Sequence, residues 1–151
     1  MKSKSESSFK LTGRVNYKLF DAEGNLKDER NINNVVVTVG KVYLATWLTA
    51  ASQAGFFMQY VGVGTGTTAA NVSDTTLETP LPTRIAGTLS SLAAVWQSVA
   101  DFPAGTNTGA ITESGIFSAS SGGTMLARQV FPVINKGAGD SLQVTWQITI
   151  S

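Results

Sequence analysis

Ser141-Leu142-Gln143-Val144-Thr145-Trp146-Gln147-Ile148-Thr149-Ile150-Ser151 closes the chain, and its reading decides the fold class. Leu142, Val144, Trp146, Ile148 and Ile150 alternate with Gln143, Thr145, Gln147 and Thr149. Side chains alternate across a strand, so the pattern predicts one β-strand with an apolar face turned to a core. Burying five such side chains contributes roughly 8–15 kcal/mol gross. A strand of this kind needs a whole sheet to receive it. Its other face is polar but carries no charge, which marks Gln143, Thr145, Gln147 and Thr149 as a candidate subunit contact, because neutral polar groups cost less to desolvate than ions.

Working outward, the same alternation recurs at short spacing. From Phe9 to Phe20, Leu11, Val15, Tyr17 and Leu19 oppose Lys10, Arg14 and Lys18. The turn Asp21-Ala22-Glu23-Gly24-Asn25 then predicts a hairpin that returns through Leu26 to Val37. From Val39 to Ala51 the period becomes helical, with Thr38 as a candidate cap. Val39, Val42, Tyr43 and Trp47 share a side, beside Leu44 and Leu48, so the helix is expected to pack against the sheet. Strands follow at 56–63, 84–92, 93–102, 111–117 and 124–131, separated by Gly-, Ser- and Pro-rich turns. Ser73 to Glu78 has the residues for one capped helical turn inside a loop. The expectation is an all-β chain, an antiparallel β-sandwich of jelly-roll or immunoglobulin-like kind with one packed α-helix near residues 39–51. Residues 1–8 read as a polar arm, and 9–151 as a single domain.

Composition narrows the chemistry. Hydrophobic residues make up 42% and charged residues 14% of the 151, and the net charge is +1. Ordinary globular chains carry about 25% charged residues. Neither wholesale nucleic-acid binding nor a membrane span is expected. There is no cysteine and no histidine. Thiolate chemistry is therefore excluded, and the commonest general base and metal ligand is missing. The run Gly62-Val63-Gly64-Thr65-Gly66-Thr67-Thr68 lacks the lysine of a phosphate loop, and has Thr67 where a dinucleotide fingerprint places its last glycine. It reads instead as a strand lying close to another backbone, followed by a turn. The ten carboxylates form no paired arrangement for glycoside hydrolysis. The chain is thus expected to be no enzyme and to need no cofactor or metal.

Two features remain. Thirteen of the 21 charges fall in residues 1–41. Lys2, Lys4, Lys10, Arg14 and Lys18 mark that beginning as a candidate attachment region. Glu113 and Arg128 each interrupt an apolar strand of one predicted hairpin. An unpaired buried charge is costly, so they are expected to pair with each other or with Arg84.

The segment from Tyr60 onward resembles small virion structural proteins of tailed bacteriophages. The residues that carry the likeness are Tyr60-Val61-Gly62-Val63-Gly64-Thr65-Gly66-Thr67-Thr68 and Asp74-Thr75-Thr76-Leu77-Glu78 followed by Arg84. Ile111-Thr112-Glu113-Ser114-Gly115-Ile116-Phe117, Met125-Leu126-Ala127-Arg128 and the closing strand complete it. That family includes capsid decoration (cement) proteins and fibre-like appendage proteins. The resemblance implies a homo-oligomer, a trimer, that binds the major capsid protein or another virion protein and resides in the virion after assembly in the host cytoplasm. It transfers no active site. The other reading in the same class is a head- or tail-fibre subunit, or an adhesin, that contacts the host surface.

Overall fold

The computed structural model describes residues 10–49 and 57–151. Among them the chain is mostly antiparallel β-structure with one short helix. In chain order the elements are β1 (Leu11–Phe20), β2 (Leu26–Val36), α1 (Thr38–Thr49), β3 (Tyr60–Gly64), β4 (Ile85–Ala86) and β5 (Thr88–Leu92). They continue with β6 (Val95–Phe102), β7 (Gly109–Phe117), β8 (Met125–Lys136) and β9 (Ser141–Ile150). The strands form one sheet in the order β4-β3-β7-β8-β2-β1-β9-β6-β5.

The closing strand sits inside this sheet. β9 pairs with β1 along its full length, Leu11↔Ile150 to Phe20↔Ser141, and with β6 from Val95↔Thr149 to Phe102↔Leu142. Leu142, Val144, Trp146 and Ile148 are buried, which contributes roughly 6–12 kcal/mol gross. Ile150, expected on the same buried face, is 41% exposed, because the strand has by then reached the rim opposite Leu11.

The sheet curls around a shared core. Tyr17 of β1 hydrogen-bonds Ser114 of β7 at 2.6 Å, although β1 and β7 lie three places apart in the strand order. The Tyr17 ring also meets Phe131 of β8 at 4.1 Å between centroids. Val61, Val63, Phe102, Ile111, Ile116 and Ile134 fill the space around them. Two places let the sheet turn. At one, β2 leaves β1 and pairs with β8 through only Val35↔Arg128 and Val36↔Ala127. Beyond that point Arg30 bridges the two strands, donating to the carbonyls of Pro132 and Val133. At the other, Gly87 alone separates β4 from β5, so the single strand expected over 84–92 is broken into two. The Gly87 amide donates to the Gln59 carbonyl, and a Cβ there would overlap the Ser98 hydroxyl.

The helix departs from its expected packing. It is set on β8 through Gly40, where a Cβ would lie 2.6 Å from Leu126 Cα. Tyr43 and Leu44 reach the core, but Val42 and Leu48 are 60% and 75% exposed. The close approach at Gly40 tilts the apolar stripe so that only part of it is covered. Thr38 is the first helical residue rather than a side-chain cap, and its amide donates to the Val72 carbonyl. No helical turn forms at 73–78. Asn71 and Asp74 instead close a tight turn, Asp74 N donating to the Asn71 carbonyl, Ser73 N to Asn71 Oδ1 and Asn71 N to Asp74 Oδ2. Residues 1–8, and the helix positions Ala50 and Ala51, lie outside the described residues.

Burial pushes the Tyr17 phenol far above the ordinary tyrosine range, with the Ser114 bond a smaller opposing influence. The folded state therefore keeps the phenol neutral, while the unfolded chain ionises near pH 10. Stability from Tyr17 is present below about pH 10 and is lost as pH rises beyond it. Tyr17→Phe should cost about 1–3 kcal/mol in urea unfolding, by orphaning the Ser114 hydroxyl. It should also flatten the fall in stability above pH 10.

Candidate functional site

β3, residues 111–117 of β7 and residues 125–128 of β8 are covered on both faces. One face turns to the core, where Val61, Val63, Ser114 and Ile116 point. The other carries Gly62, Gly64, Glu113, Gly115 and Phe117, and residues 65–84 run across it. The glycines are needed there. A Cβ on Gly62 or Gly115 would press against Leu77 and Phe117, and one on Gly64 would overlap the Thr79 carbonyl and Glu113. Close backbone approach, as read from the glycine spacing, is what the fold contains.

Glu113 lies opposite Val130 and Arg128 opposite Gly115, which makes the two charged residues diagonal neighbours on one face. The structure brings them together. Arg128 Nε donates to Glu113 Oε2 at 3.0 Å, and Arg128 Nη2 lies 2.8 Å from the same oxygen. Both side chains are buried. Arg128 also donates to Asp74 Oδ2 at 2.8 Å and to the Thr68 carbonyl at 3.1 Å, and lies 3.7 Å from Glu78 Oε2. Glu113 accepts the amides of Gly66 at 3.2 Å, Glu78 at 3.0 Å and Thr79 at 2.7 Å. Glu78 in turn accepts the amide and hydroxyl of Thr68.

One guanidinium is thus surrounded by three carboxylates, and backbone amides supply the remaining positive potential. Burial alone would weaken the Arg128 cation. Its bonds to Asp74 and Glu113 override that and hold its pKa above the ordinary value. The Thr68 amide and hydroxyl hold the Glu78 carboxyl below its ordinary value. Four hydrogen bonds use about all the lone-pair directions of the Glu113 carboxylate. The cluster ties two strands to a loop, and its acceptors are taken up internally. Among the described residues no group of three or more acidic side chains is arranged to hold a metal ion.

Arg84 does not join this cluster. It stacks over the Phe117 ring at 3.5 Å and donates to the carbonyls of Ala119 and Gly122. Asp74, Glu78 and Thr68 were not singled out from the sequence as partners of Arg128. The Gly64-Thr65-Gly66 spacing was the available signal that some backbone would pass over Glu113.

The second surface is the outward side of the five strands β2, β1, β9, β6 and β5. Gln143, Thr145, Gln147 and Thr149 are half-buried along its middle strand. Gln147 donates to Gln97 at 2.8 Å and Gln143 to Asp101 at 3.0 Å. Arg14 lies opposite Gln147 and Lys18 opposite Gln143. The residues expected to form a subunit contact and two of those expected to form a separate attachment region therefore share one face. Lys18 approaches Glu29 at 3.9 Å, and Asn16 donates to Glu29 and Asn31. Lys10 is exposed just before β1, where its backbone exchanges hydrogen bonds with Ser151. Lys2 and Lys4 lie outside the described residues. No family model, curated protein or solved structure matches the chain.

Removing the Arg128 cation leaves Glu113 buried without its charge partner. Arg128→Met should cost about 3–5 kcal/mol of stability, read by urea unfolding. Because the Glu78 carboxyl is depressed in the folded state, its contribution is present above the unfolded carboxyl range near pH 4 and fades as pH falls below it. Glu78→Gln should reduce that acid dependence, measured as melting temperature between pH 7 and pH 3.

Proposed function

We propose that this chain is a bacteriophage virion structural protein, a capsid decoration (cement) protein that binds the major capsid protein lattice and stabilises the particle. The single observation that carries this reading is the outward face of β2, β1, β9, β6 and β5. It is a broad five-strand surface whose middle is a row of neutral Gln and Thr side chains. Its ions flank that row, with Arg14 and Lys18 beside it on β1, Glu29 one strand further out on β2, and Asp101 on β6. A wide face of this composition suits contact with a flat protein lattice better than enclosure of a small molecule. Neutral polar groups desolvate cheaply, and the few charges beside them orient the approach. The sequence resemblance from Tyr60 to the C-terminus supports the same reading.

In this account the nine strands form a two-layer sandwich, with β2-β1-β9-β6-β5 as the lattice-facing layer. The layer β8-β7-β3-β4 lies behind it and is braced by the Arg128 cluster. The first hairpin contributes Arg14 and Lys18 to the lattice-facing layer rather than forming an attachment end of its own. Binding the shell and not its dissociated subunits stabilises the particle by mass action. The trimer implied by the resemblance would need a three-fold contact, which this same face would have to share with the shell.

The test is sedimentation of purified protein with particles of the encoding phage that lack it. Wild-type protein should co-sediment at hundreds of copies per particle and raise the particle's disruption temperature. Arg14→Glu combined with Lys18→Glu should weaken binding about tenfold or more, with the dependence on ionic strength reduced. A handful of copies confined to one vertex would instead support the fibre or adhesin reading. No binding at all would overturn both.

A further inference from the structure

On the outward face of β2, β1, β9, β6 and β5, Arg14 stands apart from its surroundings. Asn33 and Gln147 lie opposite it on the two neighbouring strands. Thr12 and Asn16 share its side of β1, and Thr149 and Thr145 are diagonal to it on β9. All six are uncharged. Lys18, Glu29 and Asp101 on the same face already have partners: Lys18 approaches Glu29 at 3.9 Å, and Asp101 accepts a hydrogen bond from Gln143. The amides beside Arg14 are engaged as well, Gln147 donating to Gln97 and Gln97 to Ser90. Arg14 is exposed and has neither an ion pair nor a hydrogen bond among the described residues.

We propose that Arg14 is the specificity-determining residue of this face, and that the protein surface docking there presents an aspartate or glutamate carboxylate to it. The inference rests on reading the face as a lattice contact and names the chemistry the lattice must supply. A guanidinium offers five donors in a fixed plane and matches a carboxylate with two parallel bonds. Exposed to water, such a pair contributes little. Ringed by neutral groups that exclude water on docking, it takes the position of the central arginines that dominate interfaces. The neutral ring also sets the count, because one unmatched cation suits one anion. A nucleic acid would bring closely spaced phosphates and need a row of cations. The next cation on this side of β1 is Lys18, and Glu29 beside it would repel a second anion. Specificity follows from desolvation. A surface without the carboxylate would bury the Arg14 cation unpaired, which is costly, whereas Gln and Thr alone discriminate weakly.

The test is sedimentation with particles that lack the protein, comparing wild type with Arg14→Gln, Arg14→Lys and Lys41→Gln. Lys41 is exposed on α1, which packs on β8, and its removal changes the net charge as much as Arg14→Gln does. Arg14→Gln should weaken binding about tenfold or more. Arg14→Lys keeps the charge but not the two parallel bonds and should weaken it about threefold or more. Lys41→Gln should bind as wild type does. Both Arg14 variants should melt within a few degrees of wild type, since Arg14 bonds nothing in its own chain. Particles whose carboxylates are capped with a carbodiimide and ethanolamine should bind wild type no better than untreated particles bind Arg14→Gln. Where capping breaks the shell, ionic strength decides: wild-type binding should fall more steeply with salt than Arg14→Gln binding. Equal binding by wild type and Arg14→Gln would overturn the proposal and leave the lattice reading in place. So would full binding by Arg14→Lys, which would make the residue a point charge, or equal losses in Lys41→Gln and Arg14→Gln, which would reduce the effect to net charge. Wild-type binding that survives capping, or that free double-stranded DNA displaces, would also overturn it, the latter by assigning Arg14 to phosphate. Failure of wild-type protein to bind at all would remove the lattice reading and this inference with it.

Discussion

The contact between Glu113 and Arg128 is the constraint on which the rear of the molecule depends. Both groups lie under a loop and away from water, where each alone would be strongly destabilising. Neither can be removed singly, and together they specify where residues 65–84 must lie. Three backbone amides of that loop end on Glu113, and two acidic side chains and one carbonyl of the same segment surround Arg128. A loop with little apolar content of its own is thus fixed by charge. Leu77 is its one deeply buried apolar side chain, set against Phe117 and Met125.

That arrangement lets β3 and the adjoining parts of β7 and β8 be covered on both faces without a second large core. The glycines at 62, 64 and 115 are the geometric counterpart of the charge pair. They remove the side chains that would otherwise hold the loop at a distance. The front of the molecule follows the opposite rule. There the strands bury one face and leave the other covered with Gln, Thr, Asn and a few ions that bond one another along the cross-strand rows. Two surfaces of different physics result: a rear organised by a buried ion pair, and a front of neutral side chains with a few ions.

Much of the first layer of this description was legible in the amino-acid order. The period-two pattern of β9 located its buried face, and the Asp21–Asn25 turn located the hairpin. The change to helical period near Thr38 located α1. Glu113 and Arg128 were visible as charges inside apolar strands. What the order of residues did not contain was register. Arg14 and Gln147 are 133 positions apart in the chain, and only the pairing of β1 with β9 places them side by side. The same holds for Asp74, 54 residues from Arg128, in a segment whose Ser and Asp read as a helix cap. The helix itself shows the limit of periodicity. The pattern marks an apolar stripe, but Gly40 decides how closely α1 approaches Leu126, and so which part of the stripe stays in water. Ile150 fits its strand's alternation and still emerges, because alternation says nothing about where a sheet ends.

The claim that an ion pair holds the loop is tested most directly by native-state hydrogen exchange on the wild-type protein, resolved at single amides. Gly66, Glu78 and Thr79 all donate to Glu113. The account predicts that they exchange as slowly as amides in the centre of β9, since all would open only when the fold itself opens. If those three amides exchanged at the rate of free loop residues while β9 remained protected, the ion pair would not be what holds the loop, and the account would be wrong.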